Sequence, residues 1–136
     1  MNYLIVNHIQ NLLVLNKKTF FYIAITWTIT ITYLSLATLE KIGNSIKIPN
    51  KDKMVHFVFY FLFFIFWNLS QNTKVIQKKT AIIILAIAIF YGIVMEFFQY
   101  NFTTTRHADL YDVLANSAGA ISGFILLILF KNKKAN

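Results

Sequence analysis

Four long apolar runs constrain this chain before anything else in it. They are Thr19–Leu39, Met54–Leu69, Thr80–Tyr100 and Leu110–Phe130. Three of them are about 21 residues long, and a helix of that length, rising about 1.5 Å per residue, crosses roughly 30 Å of hydrocarbon. The second is shorter, about 16 residues against the about 20 a span usually needs. It either extends outward through Lys51–Lys53 as helix or stops short of full depth. Backbone inside hydrocarbon must satisfy its own hydrogen bonds, so such runs are read as helices. Composition agrees: the chain is 57% hydrophobic and 13% charged, whereas a soluble domain carries about 25% charged residues. The expected fold is an all-α integral membrane protein, a four-transmembrane-helix bundle with an N-terminal amphipathic interfacial helix.

That interfacial helix is expected over residues 1–18. Asn7, Gln10 and Asn11 fall on one helical face and Ile5, Ile9 and Leu12 on another, the pattern of a helix lying in the membrane surface. The segment has no basic stretch ahead of its apolar part and no small-residue cleavage site, which argues against a cleaved signal peptide. Residues 19–131 then form the bundle and 132–136 a basic tail. The longest connection, residues 40–53, carries the breakers Gly43, Asn44 and Pro49. With no cysteine in the chain, a disulfide framework, a thiolate metal site and a cysteine nucleophile are excluded.

The net charge of +8 is placed mainly beside the apolar runs, which reads as orientation signalling rather than a nucleic-acid footprint. Eight basic residues (Lys17, Lys18, Lys74, Lys78, Lys79, Lys131, Lys133, Lys134) flank one side of the bundle. Five (Lys41, Lys47, Lys51, Lys53, Arg106) flank the other. That bias predicts both termini in the cytoplasm. All five acids, Glu40, Asp52, Glu96, Asp109 and Asp112, belong to the second side. One membrane face therefore carries only positive charge, and the other a mixture of acids, bases and amides.

The mixture clusters in three places. Glu96 and Gln99, three residues apart near the end of the third run, share a helix face. A carboxylate there needs a cation, a metal, several donors or a proton. Asp109 is a candidate N-cap of the fourth helix, with Asp112 at a capping-box spacing. Asp112, Asn116, Gly119 and Gly123 share a face, polar first and then glycine, so this face packs inward and carries Asp112 and Asn116 into the bundle. On the second helix Asp52, His56 and Tyr60 step by four and Lys53 and His56 by three. Arg106, in the loop before the fourth run, either pairs an internal carboxylate or clamps a phosphate or carboxylate in bidentate fashion; His107 is expected to face solvent.

The stretches "DKMVHFVFYFL", "YGIVMEFFQ" and "RHADLYDVLANSAGAISG" together resemble the VanZ-like family of small bacterial membrane proteins. The resemblance covers about residues 51–123 in the family's order. It rests on Asp52, Lys53, His56, Glu96, Gln99, Arg106, Asp109, Asp112, Asn116 and Gly119. Thr104 and Thr105 stand where the family often has Pro-Gly, which implies a different turn. The resemblance implies a multi-pass protein of the bacterial cytoplasmic membrane and an association with resistance to teicoplanin, whose target lies on the outer side of that membrane. It brings no established reaction with it.

Three readings of the polar set follow. The first is a lipid-modifying enzyme site at the extracytoplasmic face, with His56, Glu96, Asp109 and Asp112 as catalytic acids and bases and Lys53, Arg106, Gln99 and Asn116 as ligand-binding groups. The second is a non-catalytic site of the same residues that takes an anionic lipid or a lipid-linked cell-wall intermediate. The third is an ion-pair network that only holds the helices together. A divalent cation on carboxylate oxygens is compatible with the set, though no spacing is diagnostic and no residue is assigned as a metal ligand. The expected surroundings are the lipid bilayer, with no nucleic-acid partner; the oligomeric state stays open.

Overall fold

The apolar runs form helices because nothing within them breaks the helix and every side chain they present outward is compatible with lipid. The computed structural model describes residues 17–37, 51–71, 77–103 and 109–133. In them lie four helices: α1 (Lys17–Leu36), α2 (Lys51–Leu69), α3 (Lys78–Phe102) and α4 (Leu110–Lys133). No strand occurs among the described residues. All four helices are long and apolar enough to cross a membrane. The short second run resolves in favour of extension, since α2 takes in Lys51, Asp52 and Lys53 and reaches 19 residues. The expected interfacial helix falls almost wholly in residues 1–16 and the basic tail ends in 134–136; both lie outside the described residues.

The outward faces are lined by large apolar side chains: Ile29, Tyr33, Phe90, Phe97, Phe102 and Leu129 are all more than half exposed. Such a surface would be an aggregation liability in water and is what lipid tails accept. The core runs through the centre on Ile31, Tyr60, Phe63, Phe64, Ala81, Ala88 and Ala120. Small residues on α3 and α4 face the aromatic stripe of α2, so large and small side chains alternate across the interface.

α2 is the central element. It packs most extensively on α4 and also touches α1 and α3, while α1 and α4 do not meet. The α2–α4 contact is close because of glycine. A Cβ added at Gly119 would run into the backbone of Phe57, with the carbonyl carbon at 2.9 Å and the oxygen nearer still. One at Gly123 would lie 2.9 Å from the Phe64 ring.

α1 is held differently, by polar atoms. The Trp27 indole donates to the Phe59 carbonyl at 3.0 Å. The Trp67 indole donates to Thr28 Oγ1 at 3.2 Å. Tyr91 Oη lies 2.6 Å from Thr32 Oγ1. Because lipid offers no competing partner, such bonds help dock one apolar helix on another.

The up-down order brings the C-terminal end of α1, the N-terminal end of α2, the C-terminal end of α3 and the N-terminal end of α4 to one pole. That pole carries the candidate residues. The opposite pole holds the helix ends with Lys17, Lys18, Lys78 and Lys79.

Candidate functional site

The site begins with the cap of α4. Asp109 Oδ1 accepts from the Tyr111 backbone N–H at 2.8 Å, and the Asp109 carbonyl accepts from Asp112 N at 3.0 Å. This is an N-cap in geometry as well as in spacing. With Asp109 serving the cap, Asp112 is left to turn into the bundle.

Lys53, one turn into α2, bridges both acids. Its Nζ donates to Asp109 Oδ2 at 2.8 Å and to Asp112 Oδ1 at 3.2 Å. The ammonium bond and the Tyr111 N–H hold the Asp109 carboxyl below its ordinary range, the lysine contributing more. Lys53 also lies 5.8 Å above the Tyr111 ring, a further contact of the attractive cation–π kind.

One turn deeper, His56 is buried where α2 meets α3 and α4. Its Nδ1 is 3.0 Å from Asn116 Oδ1 and 3.8 Å from Glu96 Oε1, and its Nε2 is 4.0 Å from Asp112 Oδ2. Glu96, Asp112 and Asn116 are all buried with it. Glu96 stands six residues before the end of α3, so the site reaches about 9 Å below that helix end at about 1.5 Å per residue. Two further buried polar atoms, Tyr60 Oη and Asn116 Nδ2, have no hydrogen-bond partner among the described residues.

The structure thus brings Lys53, His56, Glu96, Asp109, Asp112 and Asn116 together. Gln99 goes elsewhere: it is buried, and its Nε2 donates to the Ser35 carbonyl of α1 at 2.9 Å, a tie between α3 and α1. Arg106 and His107, with the Thr104–Thr105 turn, lie outside the described residues. Asp52, absent from the candidate set, sits on the rim of the site, one turn before His56, and the four-residue step between them was the signal for it. Gly92 was not singled out at all. It leaves room for Asn116 and the Tyr60 ring, both within 3.3 Å of where its Cβ would be, and a lone glycine inside an apolar helix carries no sign of which neighbour it admits.

Over the full sequence this pole carries five carboxylates (Glu40, Asp52, Glu96, Asp109, Asp112) and five cations (Lys41, Lys47, Lys51, Lys53, Arg106), so net charge by itself selects neither an anion nor a cation. Lys53 is already engaged by two of those acids.

Comparison with known proteins adds a family. The VanZ/LLP1 family profile matches residues 3–131, nearly the whole chain. An uncharacterized protein of Schizosaccharomyces pombe is 30% identical over 107 residues, which is 78% of this chain and 64% of that one. The chain therefore spans just under two thirds of that relative's length. No solved structure matches.

Proposed function

This chain belongs to the VanZ/LLP1 family, and from that premise we propose that it is a membrane protein whose polar pole takes the headgroup of an anionic lipid or of a lipid-linked envelope component. The observation that carries the reading is the burial of His56, Glu96, Asp112 and Asn116, from three different helices, around one point inside an otherwise apolar bundle. Sequestering that many polar groups in lipid is costly, and such groups mark sites of function in membrane proteins. His56, Glu96, Asp109 and Asp112 are the acids and bases a headgroup would meet. Asn116 offers an amide donor, and Arg106, in the α3–α4 loop, supplies a bidentate contact to phosphate. On the positive-inside bias both termini face the cytoplasm and the site faces away from it, which in a bacterium is the outer side of the cytoplasmic membrane. A link to teicoplanin resistance fits that orientation.

A second reading has its own observation. Lys53 is shared by Asp109 and Asp112, as it would be in a network whose whole task is to tie α2 to α4. One experiment separates the two. Wild type, His56→Ala, Arg106→Ala and the lipid-facing control Phe90→Ala are reconstituted in nanodiscs of phosphatidylglycerol and phosphatidylcholine, then re-extracted in detergent, and the retained lipid is measured by mass spectrometry. Headgroup capture predicts that His56→Ala and Arg106→Ala lose phosphatidylglycerol several-fold while Phe90→Ala does not. Equal retention by all four, with lowered thermal stability in His56→Ala, would leave the purely structural network standing.

A further inference from the structure

We infer that Asp52, His56 and Asp112 hold a divalent transition-metal cation of the zinc or manganese kind. One ligand atom from each of the three lies within 4.8 Å of the other two. Donors bonded at about 2.0–2.2 Å to a tetrahedral ion lie about 3.4 Å apart. Closing the set from 4.8 Å therefore needs a movement of about 1.4 Å at most, within reach of a rotamer change in an exposed first-turn side chain such as Asp52. Asp52 and His56 are one turn apart on α2, so both address the same side of that helix. Asp112 comes from α4, which the glycine contact with Phe57 brings close.

The histidine is set up for the role. Asn116 Oδ1 lies 3.0 Å from His56 Nδ1, and an amide oxygen accepts, so the ring hydrogen sits on Nδ1. Nε2 faces the Asp112 carboxylate oxygen at 4.0 Å, so an ion that displaces any proton on Nε2 would sit between imidazole and carboxylate. Metal-bound histidines regularly donate their other ring N–H to a carbonyl or carboxylate that fixes the ring, and Asn116 occupies that position.

A second observation points to a ligand here. The nitrogen of the same Asn116 amide is buried with no hydrogen-bond partner among the described residues. It leaves a donor beside the site for an oxygen atom that enters with the ion. The donor types select the ion. Imidazole with carboxylates suits zinc, manganese or iron, whereas magnesium prefers an all-oxygen octahedral shell. Asp112 offers one oxygen to Lys53 and keeps the other for the ion. Such a cation would help this pole accept phosphate oxygens; that last step, unlike the metal site itself, rests on the headgroup reading above.

The test uses the full chain purified in detergent and stripped with a chelator. ZnCl2 is titrated by calorimetry, and CoCl2 serves as a visible probe. The expected result is one saturable equivalent, d–d absorption from the cobalt form and a raised melting temperature, with MgCl2 giving far weaker binding. Asn116→Leu, which removes the support of the ring and the amide donor beside it, lowers zinc affinity about 10–100-fold. Asp52→Asn lowers it at least about 10-fold. No saturable zinc binding to wild type overturns the inference, and so does an affinity that Asp52→Asn and His56→Ala both leave unchanged. Lipid retention is measured on the same chelated samples. Retention that depends on His56 in a protein that binds no zinc defeats the metal site alone. One zinc equivalent lost in the variants, with lipid indifferent to them, defeats the headgroup reading alone.

Discussion

Gly119→Ala should be the most damaging single methyl group that can be added to this bundle. The added Cβ would stand 2.9 Å from the Phe57 carbonyl carbon and 3.1 Å from its Cα, with the carbonyl oxygen closer. Ordinary contact begins at 3.4 Å, so the carbon alone demands 3.4 − 2.9, or about 0.5 Å, of separation, and the oxygen demands more. The obstacle is backbone, which cannot swing aside as a side chain can. Overpacking of this kind costs about 1–3 kcal/mol or more. Against it stands the gain of about 1 kcal/mol from replacing glycine by alanine in a helix.

The separation also reaches the site, since Phe57 follows His56 and Gly119 lies one turn after Asn116. Parting α2 from α4 stretches the 3.0 Å His56–Asn116 contact beyond hydrogen-bond length. Gly123→Ala meets the Phe64 ring at 2.9 Å, and Gly92→Ala meets only the Asn116 and Tyr60 side chains at 3.2 Å. The expected order of destabilisation is therefore Gly119, then Gly123, then Gly92, the last near neutral. Reversible denaturation of the three variants in mixed micelles measures it. A Gly119→Ala protein as stable as Gly92→Ala would refute the close α2–α4 packing from which the magnitude is worked.

Asn116→Leu keeps the volume but leaves the buried His56 Nδ1–H without its acceptor, so it should destabilise by about 1–3 kcal/mol, read in the same denaturation assay. Lys53→Ala leaves Asp109 and Asp112 facing each other without their shared cation and should lower the melting temperature; adding Asp112→Asn should restore much of the loss, and a double variant no better than the single one would deny the pairing. Tyr91→Phe removes the hydroxyl that meets Thr32 Oγ1 at 2.6 Å and should cost about 0.5–1.5 kcal/mol, with α1 more readily cleaved by protease. Since the chain has no cysteine, single cysteines can map its orientation: Asn44→Cys should react from outside the cell and Asn72→Cys only after permeabilisation, and the reverse pattern contradicts termini in the cytoplasm.

The sequence by itself determined the four helices and the pole where the polar groups gather. Hydrocarbon thickness sets how long an apolar run must be, and up-down connection then fixes which helix ends share a side. Helical periodicity was enough to place Asp112, Asn116, Gly119 and Gly123 on one face, because that spacing is a property of a single helix. The same rule placed Asp52 and His56 together without saying what they meet.

Only the tertiary structure decided partners. Which helix lies beside which depends on how aromatic bulk on α2 meets glycine and alanine on the others, a volume match between residues far apart in the chain. Hence Lys53, readable as an anion clamp, is bonded to two carboxylates across the α2–α4 contact. Gln99 shares a face with Glu96 yet reaches the Ser35 carbonyl of α1, because side-chain length and a neighbouring helix end, not periodicity, settle where its amide goes. His56 becomes a possible metal ligand only once Asn116 holds one ring nitrogen and Asp112 faces the other, and no spacing along one strip of sequence encodes a distance between two helices.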